Sequence, residues 1–234
     1  MSAAPADPRI ARGMTTQLAA RRGRIAAGAR PIGWKVGFGA PAALAKLGIA
    51  APLVGFLLDG SIVASGAAVS LAGWIKPVAE PEIAVEMGAD LPGEASEAAA
   101  ASVIGALGPA IELADLDQPP DDVEAILAGN IFHRHVVFGP RAGAADGTLG
   151  LRGHVLRNGA PHADTAELEA NTGRLVDIVR HVADLLADCG EHLRTGDIII
   201  AGSVVAPLFL APGDHAVGFV LDPIGSVAVR LGAP

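Results

Sequence analysis

The sequence predicts an α+β fold with a β-rich core. Short apolar runs bounded by Gly, Pro and Asp, a pattern typical of strands, fill the region after Pro31 and return at the end of the chain. Few segments are helical, which favours this class over a doubly wound α/β fold. At 234 residues the chain can bury one core. We therefore predict a short N-terminal helical segment, residues 1–30, and a β-rich domain over residues 31–234 that holds the candidate catalytic side chains.

The N-terminal half begins with a helical pattern and continues with strands. Residues 8–28 are rich in Ala and Arg and predict one partly solvated helix or two short ones, ended by Gly28. Four strand-like runs follow, "GWKVGF", "LVGFLLDG", "GAAVSLAGW" and "EPEIAVEMG". An Ala-rich stretch between Gly93 and Gly108 then predicts a second helix.

The C-terminal half contains the clearest amphipathic helix. A strand, "PAIELADL", comes first, and residues 165–189 follow later with apolar side chains at three- and four-residue spacing before Gly190. These apolar side chains are Leu175, Ile178, Val179, Val182, Leu185 and Leu186. The tail returns to strands in "DIIIAGSVV", "HAVGFVLD" and "SVAVRL".

Composition excludes several classes of protein. A formal net charge of -8 argues against a nucleic-acid surface, which needs clustered Lys and Arg. The single cysteine, Cys189, cannot form an intrachain disulfide or a zinc-binding thiolate cluster, and this fits a reducing cytoplasm. The longest apolar run is broken by Gly202 and Pro207 and is shorter than the roughly 20 residues of a membrane helix.

Three glutamates form a candidate metal site. Glu80 and Glu82 flank Pro81 and share one face of an extended strand, which Pro81 places at a sheet edge or the rim of a site. Glu112 lies within an apolar strand, where a carboxylate needs a partner or a metal. Oxygen ligands alone indicate Mg²⁺ or Mn²⁺. The spacing leaves open that the first two are solvated and that Glu112 pairs with an arginine; Glu86 is structural or exposed.

Lys35 and Asp59 are candidate catalytic residues. Lys35 stands between two glycines in "GWKVGF", where it could bind a substrate carboxylate or move a proton. A surface or salt-bridged lysine is the alternative. Asp59 follows an apolar strand, and the alternative for this residue is that it only begins a turn.

The segment "NIFHRH" offers two histidines and an arginine. His133 and His135 would share a strand face that could suit a metal, although the spacing alone favours a solvated face. Arg134 could instead hold an anionic substrate. We take Arg134 and Ser203 as candidate substrate-binding residues.

Five segments, in order, resemble the hydratase and decarboxylase branch of the fumarylacetoacetate hydrolase superfamily. They are "GWKVGF" with "LGIAAPLVGFLLDG", then "EPEIAVEMG", "PAIELADL", "GEHLRTGDIIIAGSVVAPLFLAPGD" and "PIGSVAVRL". The resemblance implies a mixed β-roll or sandwich with a few flanking helices, a homo-oligomer, and a divalent ion, usually Mg²⁺, held by Glu80, Glu82 and Glu112. Lys35 matches the family's active-site lysine, and Asp59 falls one residue from a family aspartate.

The activity that the resemblance implies is metal-dependent hydration of a 2-hydroxy-dienoate or its 2-oxo tautomer in aromatic catabolism. The metal would chelate the 1-carboxylate and the 2-oxygen, and Lys35, with Asp59, would shuttle the proton. Decarboxylation of a 2-oxo diacid of the 4-oxalocrotonate type is the alternative.

A C–C hydrolase and a non-catalytic subunit also stay open. An acylpyruvate C–C hydrolase is disfavoured because such superfamily members tend to use a lid His and Glu, and "GAPAALAKLGIAAP" offers neither, although His133 or His135 could reopen it. A non-catalytic partner subunit is favoured by the departures "AGNIFHRH" and "EANTGRL" from the relatives' pattern, and disfavoured by the intact glutamates and Lys35.

Overall fold

Two β-sheets and five α-helices make up the described part of the chain, residues 7–144 and 147–232, in a computed structural model. The helices are α1 (Pro8–Ala26), α2 (Pro41–Leu47), α3 (Glu97–Ser102), α4 (Val123–Ala128) and α5 (Leu175–Asp188). The strands are β1 (Pro31–Gly37), β2 (Leu53–Leu58), β3 (Ile62–Val63), β4 (Ala68–Ser70), β5 (Pro77–Met87), β6 (Ile104–Asp115), β7 (His133–Phe138), β8 (Ala142–Gly143), β9 (Arg152–Arg157), β10 (Ala160–Thr165), β11 (Ile198–Ser203), β12 (Leu208–Phe209), β13 (Ala216–Asp222) and β14 (Gly225–Gly232).

The larger sheet carries the candidate site. Its strands follow the order β2-β1-β11-β5-β6-β7-β3, with β12 added beside β5 and β8 beside β6. The two longest strands, β5 and β6, pair antiparallel in its middle, whereas β1 and β11 pair in parallel. The second sheet has the order β10-β9-β13-β14-β4. The predicted α+β fold with mixed sheets and few helices is therefore confirmed.

One hydrophobic core joins the sheets and the helices. It includes Ile111 from the larger sheet, Phe219 from the second sheet and Val179 from α5, all fully buried. Helix α1 adds Met14 and Leu18 to the same core, because its apolar positions fall on one face. The helix packs onto the rest of the protein, and the predicted division into residues 1–30 and 31–234 stays a prediction. Residues 1–6, 145–146 and 233–234 of these two segments lie outside the described part of the chain.

Two predicted helices are shorter than the sequence pattern indicated. The Ala-rich helix ends at Ser102, and β6 begins at Ile104, which pairs with Met87 of β5. The prediction of a helix up to residue 108 is wrong because strand pairing, helped by a β-branched residue, overrides local helix propensity there. Likewise, α5 begins at Leu175 rather than near residue 165, since Gly173 adopts a positive φ of 92° just before it.

Several short elements were not predicted, among them two helices and one hairpin. Helices α2 and α4 are short, and the β9-β10 hairpin lies in a polar stretch. The hairpin turns at Asn158 and Gly159, whose φ values of 55° and 79° suit a two-residue type I′ turn. No helix in residues 7–144 or 147–232 combines the length and apolar character needed to cross a membrane.

Candidate metal and substrate site

The three predicted glutamates come together on neighbouring strands. Glu80 of β5 lies directly opposite Glu112 of β6, and Glu82 lies two residues further along the same face of β5. Each side chain offers one carboxylate oxygen that lies within 4.8 Å of the oxygens offered by the other two. Glu82 and Glu112 are fully buried, whereas Glu80 is partly exposed. The alternative in which Glu80 and Glu82 are both solvated is therefore wrong for Glu82, whereas Glu80 keeps some exposure.

Pro81 lies in a central strand, so of the two placements that the sequence suggested the sheet edge is wrong and the rim of a site remains. Strand β5 has β6 on one side and both β11 and β12 on the other. The Pro81 carbonyl accepts a hydrogen bond from Val204 N at 2.9 Å, so the side of Pro81 that lacks a donor faces the interruption between β11 and β12. A central proline is tolerated here because the neighbouring ladder is already broken.

Both buried carboxylates have one bonded oxygen and one bare oxygen. Glu82 Oε2 accepts a hydrogen bond from Gly202 N at 2.6 Å, and Glu112 Oε1 lies 2.5 Å from Lys35 Nζ and 2.6 Å from His133 Nδ1. Glu82 Oε1 and Glu112 Oε2 are buried without a partner among the described residues. A buried carboxylate oxygen without a partner lowers the stability of the fold unless a hydrogen-bond donor or a cation binds it. A hard divalent cation fits, because all the available ligand atoms are oxygens.

The pKa values of the cluster reflect burial and mutual repulsion. Burial, and then the nearby Glu112 charge, raises the pKa of Glu80 to about 7, and the same causes raise the pKa of Glu82 well above its usual range. Burial alone would also raise the pKa of Glu112, but the Lys35 ammonium and the His133 hydrogen bond outweigh it, and this pKa lies below its usual value. Positive charge in addition to Lys35 therefore favours the state in which all three are ionised.

Lys35 is buried and paired with Glu112, so of the two alternatives a surface lysine is wrong and a salt-bridged lysine is what the structure shows. Its side chain is 1 % exposed, and Nζ also donates to the Ile131 carbonyl at 3.1 Å. Gly55, its neighbour on β2, makes room for it. A Cβ atom at Gly55 would lie 2.9 Å from Lys35 Cγ and 2.8 Å from Asn130 Oδ1. Glu112 pairs with Lys35 and His133 rather than with an arginine.

A cavity of about 470 Å³ opens beside the cluster. Lys35, Glu80 and Ser203 line it, and most of the remaining wall is apolar. The apolar wall includes Phe38, Leu47, Val78, Phe132 and Phe209. The cations among the described lining residues are Lys35 and Lys46. This arrangement can hold a small organic acid with one end at the carboxylates and its hydrocarbon part along the apolar wall.

The sequence prediction missed several lining residues. Asn171 and Thr172 line the cavity, and Asn171 Nδ2 donates to the Ser203 carbonyl at 2.7 Å. Gly202 has a positive φ of 89°, and a Cβ there would lie 2.9 Å from Thr172 Cγ2. In the sequence, the segment "EANTGRL" stands out only as a departure from the family resemblance. Its polar residues just before a helix were the available signal.

Asp59 and Arg134 lie in other surroundings. The Asp59 carboxylate accepts hydrogen bonds from Arg30 N at 3.0 Å and from Arg30 Nε at 2.9 Å, and Asp59 is not among the described residues that line the cavity. Arg134 pairs with Asp117 at 2.7 Å and lines a separate cavity of about 440 Å³. Ser203 does line the cavity beside the three glutamates. The functional roles of all three stay predictions.

The histidines of "HRH" do not form a solvated face. His133 is buried against Glu112, and its other ring nitrogen, Nε2, has no partner within the described ranges. The expectation of a solvated face is wrong for this residue. Burial lowers the pKa of His133 despite the neighbouring Glu112 carboxylate. His135 stacks on Trp74, with ring centroids 6.1 Å apart.

Comparisons with known proteins agree on one family. The family model described as the fumarylacetoacetate (FAA) hydrolase C-terminal region matches residues 36–231. A 4-oxalocrotonate decarboxylase of Pseudomonas putida is 30% identical over 223 residues, which cover 93% of this chain and 83% of that protein. A 2-hydroxyhexa-2,4-dienoate hydratase of Comamonas testosteroni is 30% identical over 217 residues, covering 89% of this chain and 81% of the hydratase.

Among solved structures, similarity extends over the whole fold. The 4-oxalocrotonate decarboxylase from Pseudomonas putida G7, complexed with magnesium and adipate, superposes with a TM-score of 0.87 at 28% identity. The superposition covers 95% of this chain and 86% of that chain.

Proposed function

The chain belongs to the fumarylacetoacetate hydrolase family, in the hydratase and decarboxylase branch that its sequence predicts, and on this basis we propose that it is a divalent-metal-dependent lyase of 2-oxo acids. The first candidate reaction is hydration of a 2-hydroxy-dienoate or its 2-oxo-enoate tautomer in aromatic catabolism. The observation that carries the proposal is the pair of bare, buried carboxylate oxygens of Glu82 and Glu112 beside Lys35.

The residues present fit a metal ion. Glu80, Glu82 and Glu112 would hold Mg²⁺ or Mn²⁺, and the similar decarboxylase of known structure is complexed with magnesium. When bound, the ion supplies Lewis-acid stabilisation of the negative charge that develops on a 2-oxo acid. Carboxylates whose pKa values are raised by burial and repulsion are well suited to this task, because a divalent cation relieves both costs.

Lys35 is our candidate for the proton carrier. Its Nζ atom contacts Glu112, and Lys35 on β1 is also one of the residues that line the cavity. An ammonium there can donate a proton to carbon or oxygen of a bound 2-oxo acid and recover it afterwards. The apolar wall of the cavity would hold the hydrocarbon chain and limit access of water.

We propose smaller roles for the other three predicted site residues, Ser203, Arg134 and Asp59. Ser203 would orient the substrate carboxylate, since it lines the cavity next to Glu82. Arg134 could reach a substrate only by leaving Asp117, and Asp59 could move a proton only by leaving Arg30. We therefore expect Asp59→Asn and Arg134→Gln to reduce turnover far less than Lys35→Met does.

Decarboxylation of a 2-oxo diacid is the second candidate, and Lys46 favours it. Lys46 lines the cavity and has no ion-pair partner in the described part of the chain. A diacid bound through its 2-oxo acid end at the carboxylates would present its distal carboxylate to this ammonium. A dienoate with one carboxylate has no group for Lys46 to bind.

A C–C hydrolase and a non-catalytic partner subunit have less support. The hydrolase needs a histidine that activates water, but His133 is bonded to Glu112 and lines the second cavity. The complete carboxylate cluster argues against a non-catalytic subunit.

We also propose that the protein forms a homo-oligomer and lies in the cytoplasm. Light scattering would test the oligomeric state, and cell fractionation would test the location.

A spectroscopic assay separates the two leading reactions. The purified protein is given 2-hydroxypenta-2,4-dienoate or a 2-oxo-hex-enedioate, each with and without Mg²⁺. Metal-dependent loss of only the first assigns the hydratase, and loss of only the second assigns the decarboxylase. Lys46→Gln should raise KM for the diacid and leave KM for the dienoate unchanged. Consumption of neither substrate would overturn both assignments.

A further inference from the structure

The Glu112 carboxylate is bonded twice through the same oxygen. Lys35 Nζ and His133 Nδ1 both contact Oε1, at 2.5 Å and 2.6 Å. An ionised carboxylate only accepts hydrogen bonds, so the His133 Nδ1 atom carries the hydrogen. Oε2 is buried and unpartnered within residues 7–144 and 147–232, which leaves this oxygen for a cation.

An unusual turn precedes His133 in the chain. Asn130, Ile131 and Phe132 have φ values of 56°, 53° and 62°, a conformation that residues with a side chain rarely adopt. Asn130 ties this turn to β2, because its Oδ1 accepts from Phe56 N at 2.8 Å and its Nδ2 donates to Phe56 O at 3.0 Å. The surrounding structure therefore determines where the turn sits.

The turn brings two groups to the site at once. The Ile131 carbonyl meets Lys35 Nζ at 3.1 Å, and two residues later the His133 ring meets Glu112. A strained segment that supplies contacts to both the lysine and the metal-ligand carboxylate is typical of a functional site.

We propose that His133 is a positioning residue that holds Glu112 as a metal ligand while Lys35 is free to serve the substrate. The proposal rests on the proposed function. Lys35 Nζ can exchange its bond to Glu112 Oε1 for one to a substrate. His133 continues to donate to that atom, so the carboxylate keeps its orientation and Oε2 stays directed at the cation.

A packing role for His133 makes a different prediction. The ring lines the second cavity of about 440 Å³, and its Nε2 atom has no partner in the described part of the chain. If the ring only filled space, leucine would replace it well. If the ring positions Glu112, a donor is required where Nδ1 lies, and shape alone is not enough.

Three substitutions of His133 distinguish these roles. His133→Asn places an amide nitrogen near the position of Nδ1, His133→Gln places one near Nε2, and His133→Leu supplies bulk without a donor. The Kd for Mg²⁺ would be measured by calorimetry without substrate, and kcat and KM with each substrate. His154→Leu, at an exposed histidine that contacts Asp164, is the control.

We expect His133→Leu and His133→Gln to raise the Kd for Mg²⁺ by about 10- to 100-fold, the usual effect of losing a hydrogen bond to a metal ligand. His133→Asn and the His154 control should stay close to the unsubstituted protein. Combining His133→Leu with Lys35→Met should weaken Mg²⁺ binding further than His133→Leu alone, because no donor to Glu112 Oε1 then remains.

The outcomes separate this proposal from the proposed function. Unchanged Mg²⁺ affinity in His133→Leu, or equal loss in His133→Asn and His133→Leu, would overturn the positioning role even in an active enzyme. Absence of turnover on both substrates, with the expected order of Kd values, would overturn only the proposed reaction. No Mg²⁺ binding by the unsubstituted protein would overturn both.

Discussion

Replacing Glu80 by glutamine tests two properties of the carboxylate cluster: how much it destabilises the metal-free fold, and how much a bound metal ion stabilises it. Without metal, burial and the Glu112 charge raise the pKa of Glu80 from 4.5 to about 7. A carboxyl group with a raised pKa in the folded state destabilises the fold increasingly as pH climbs from the lower value to the higher one. At 1.36 kcal/mol per pH unit, this corresponds to about 3 kcal/mol. Since the side chain is partly open to the cavity, we expect about 2 kcal/mol after screening.

The assay is urea unfolding of the metal-free protein, in a chelator, at pH 5 and pH 8. At pH 5 Glu80 is protonated and resembles glutamine, so both proteins should have nearly the same free energy of unfolding. At pH 8 Glu80→Gln should be more stable by about 2 kcal/mol. Adding Mg²⁺ at about 100 times its Kd should stabilise the unsubstituted protein by about 2.7 kcal/mol and reverse the order.

Glu86→Gln is the matched control, because Glu86 lies on the same face of β5 but pairs with Arg141 at 2.5 Å. We expect this variant to lose at most about 1 kcal/mol and to keep its response to Mg²⁺. If metal-free Glu80→Gln proves less stable than the unsubstituted protein at pH 8, the carboxylate is stabilised in the fold and the reasoning is refuted.

Three other substitutions each test the contacts of one side chain. Lys35→Met should retain Mg²⁺ binding but lower kcat by about 10²- to 10⁴-fold in the spectroscopic assay, and near-normal turnover would exclude Lys35 as the proton carrier. Gly55→Ala should cost about 1–3 kcal/mol in urea unfolding, because the new Cβ would lie 2.9 Å from Lys35 Cγ; full stability would show that the lysine moves freely. Asp214→Asn should cost about 2 kcal/mol at pH 7, since Arg157 holds the pKa of Asp214 at about 2, below its usual 3.8. That difference should disappear as pH falls from about 4 to about 2, and a constant difference across urea titrations at stepped pH would contradict the ion-pair explanation.

Local patterns in the sequence were enough to find the metal-binding candidates. A two-residue period places Glu80 and Glu82 on one face of a strand, and a carboxylate amid apolar neighbours marks Glu112 as needing a partner. The register that sets Glu80 opposite Glu112 is a long-range property that was not predicted, and only the resemblance to a family implied that the three glutamates hold one ion.

The contact of His133 with Glu112 could not be predicted, because the position of this ring depends on backbone geometry. The three residues before it have positive φ values, yet none is glycine, and this removes the usual sequence signal for that conformation. A period of two suggested a solvated strand face instead. The hairpin at Asn158 and Gly159 is a different case, since the dipeptide is a known turn signal and the prediction overlooked it.

The charges of the site explain why these parts occur together. Three carboxylates and the Lys35 ammonium carry a formal charge of about -2, which a buried cluster cannot sustain without a counter-charge. The pKa values are raised at Glu80 and Glu82 but lowered at Glu112, so in the metal-free protein the surroundings favour protonation of the first two, which offsets that charge, and ionisation of the third. A divalent cation supplies the same two positive charges while leaving the carboxylates ionised as ligands. Glu112 is the carboxylate whose ionised form the protein favours even without the cation, and it is the one that Lys35 and His133 hold.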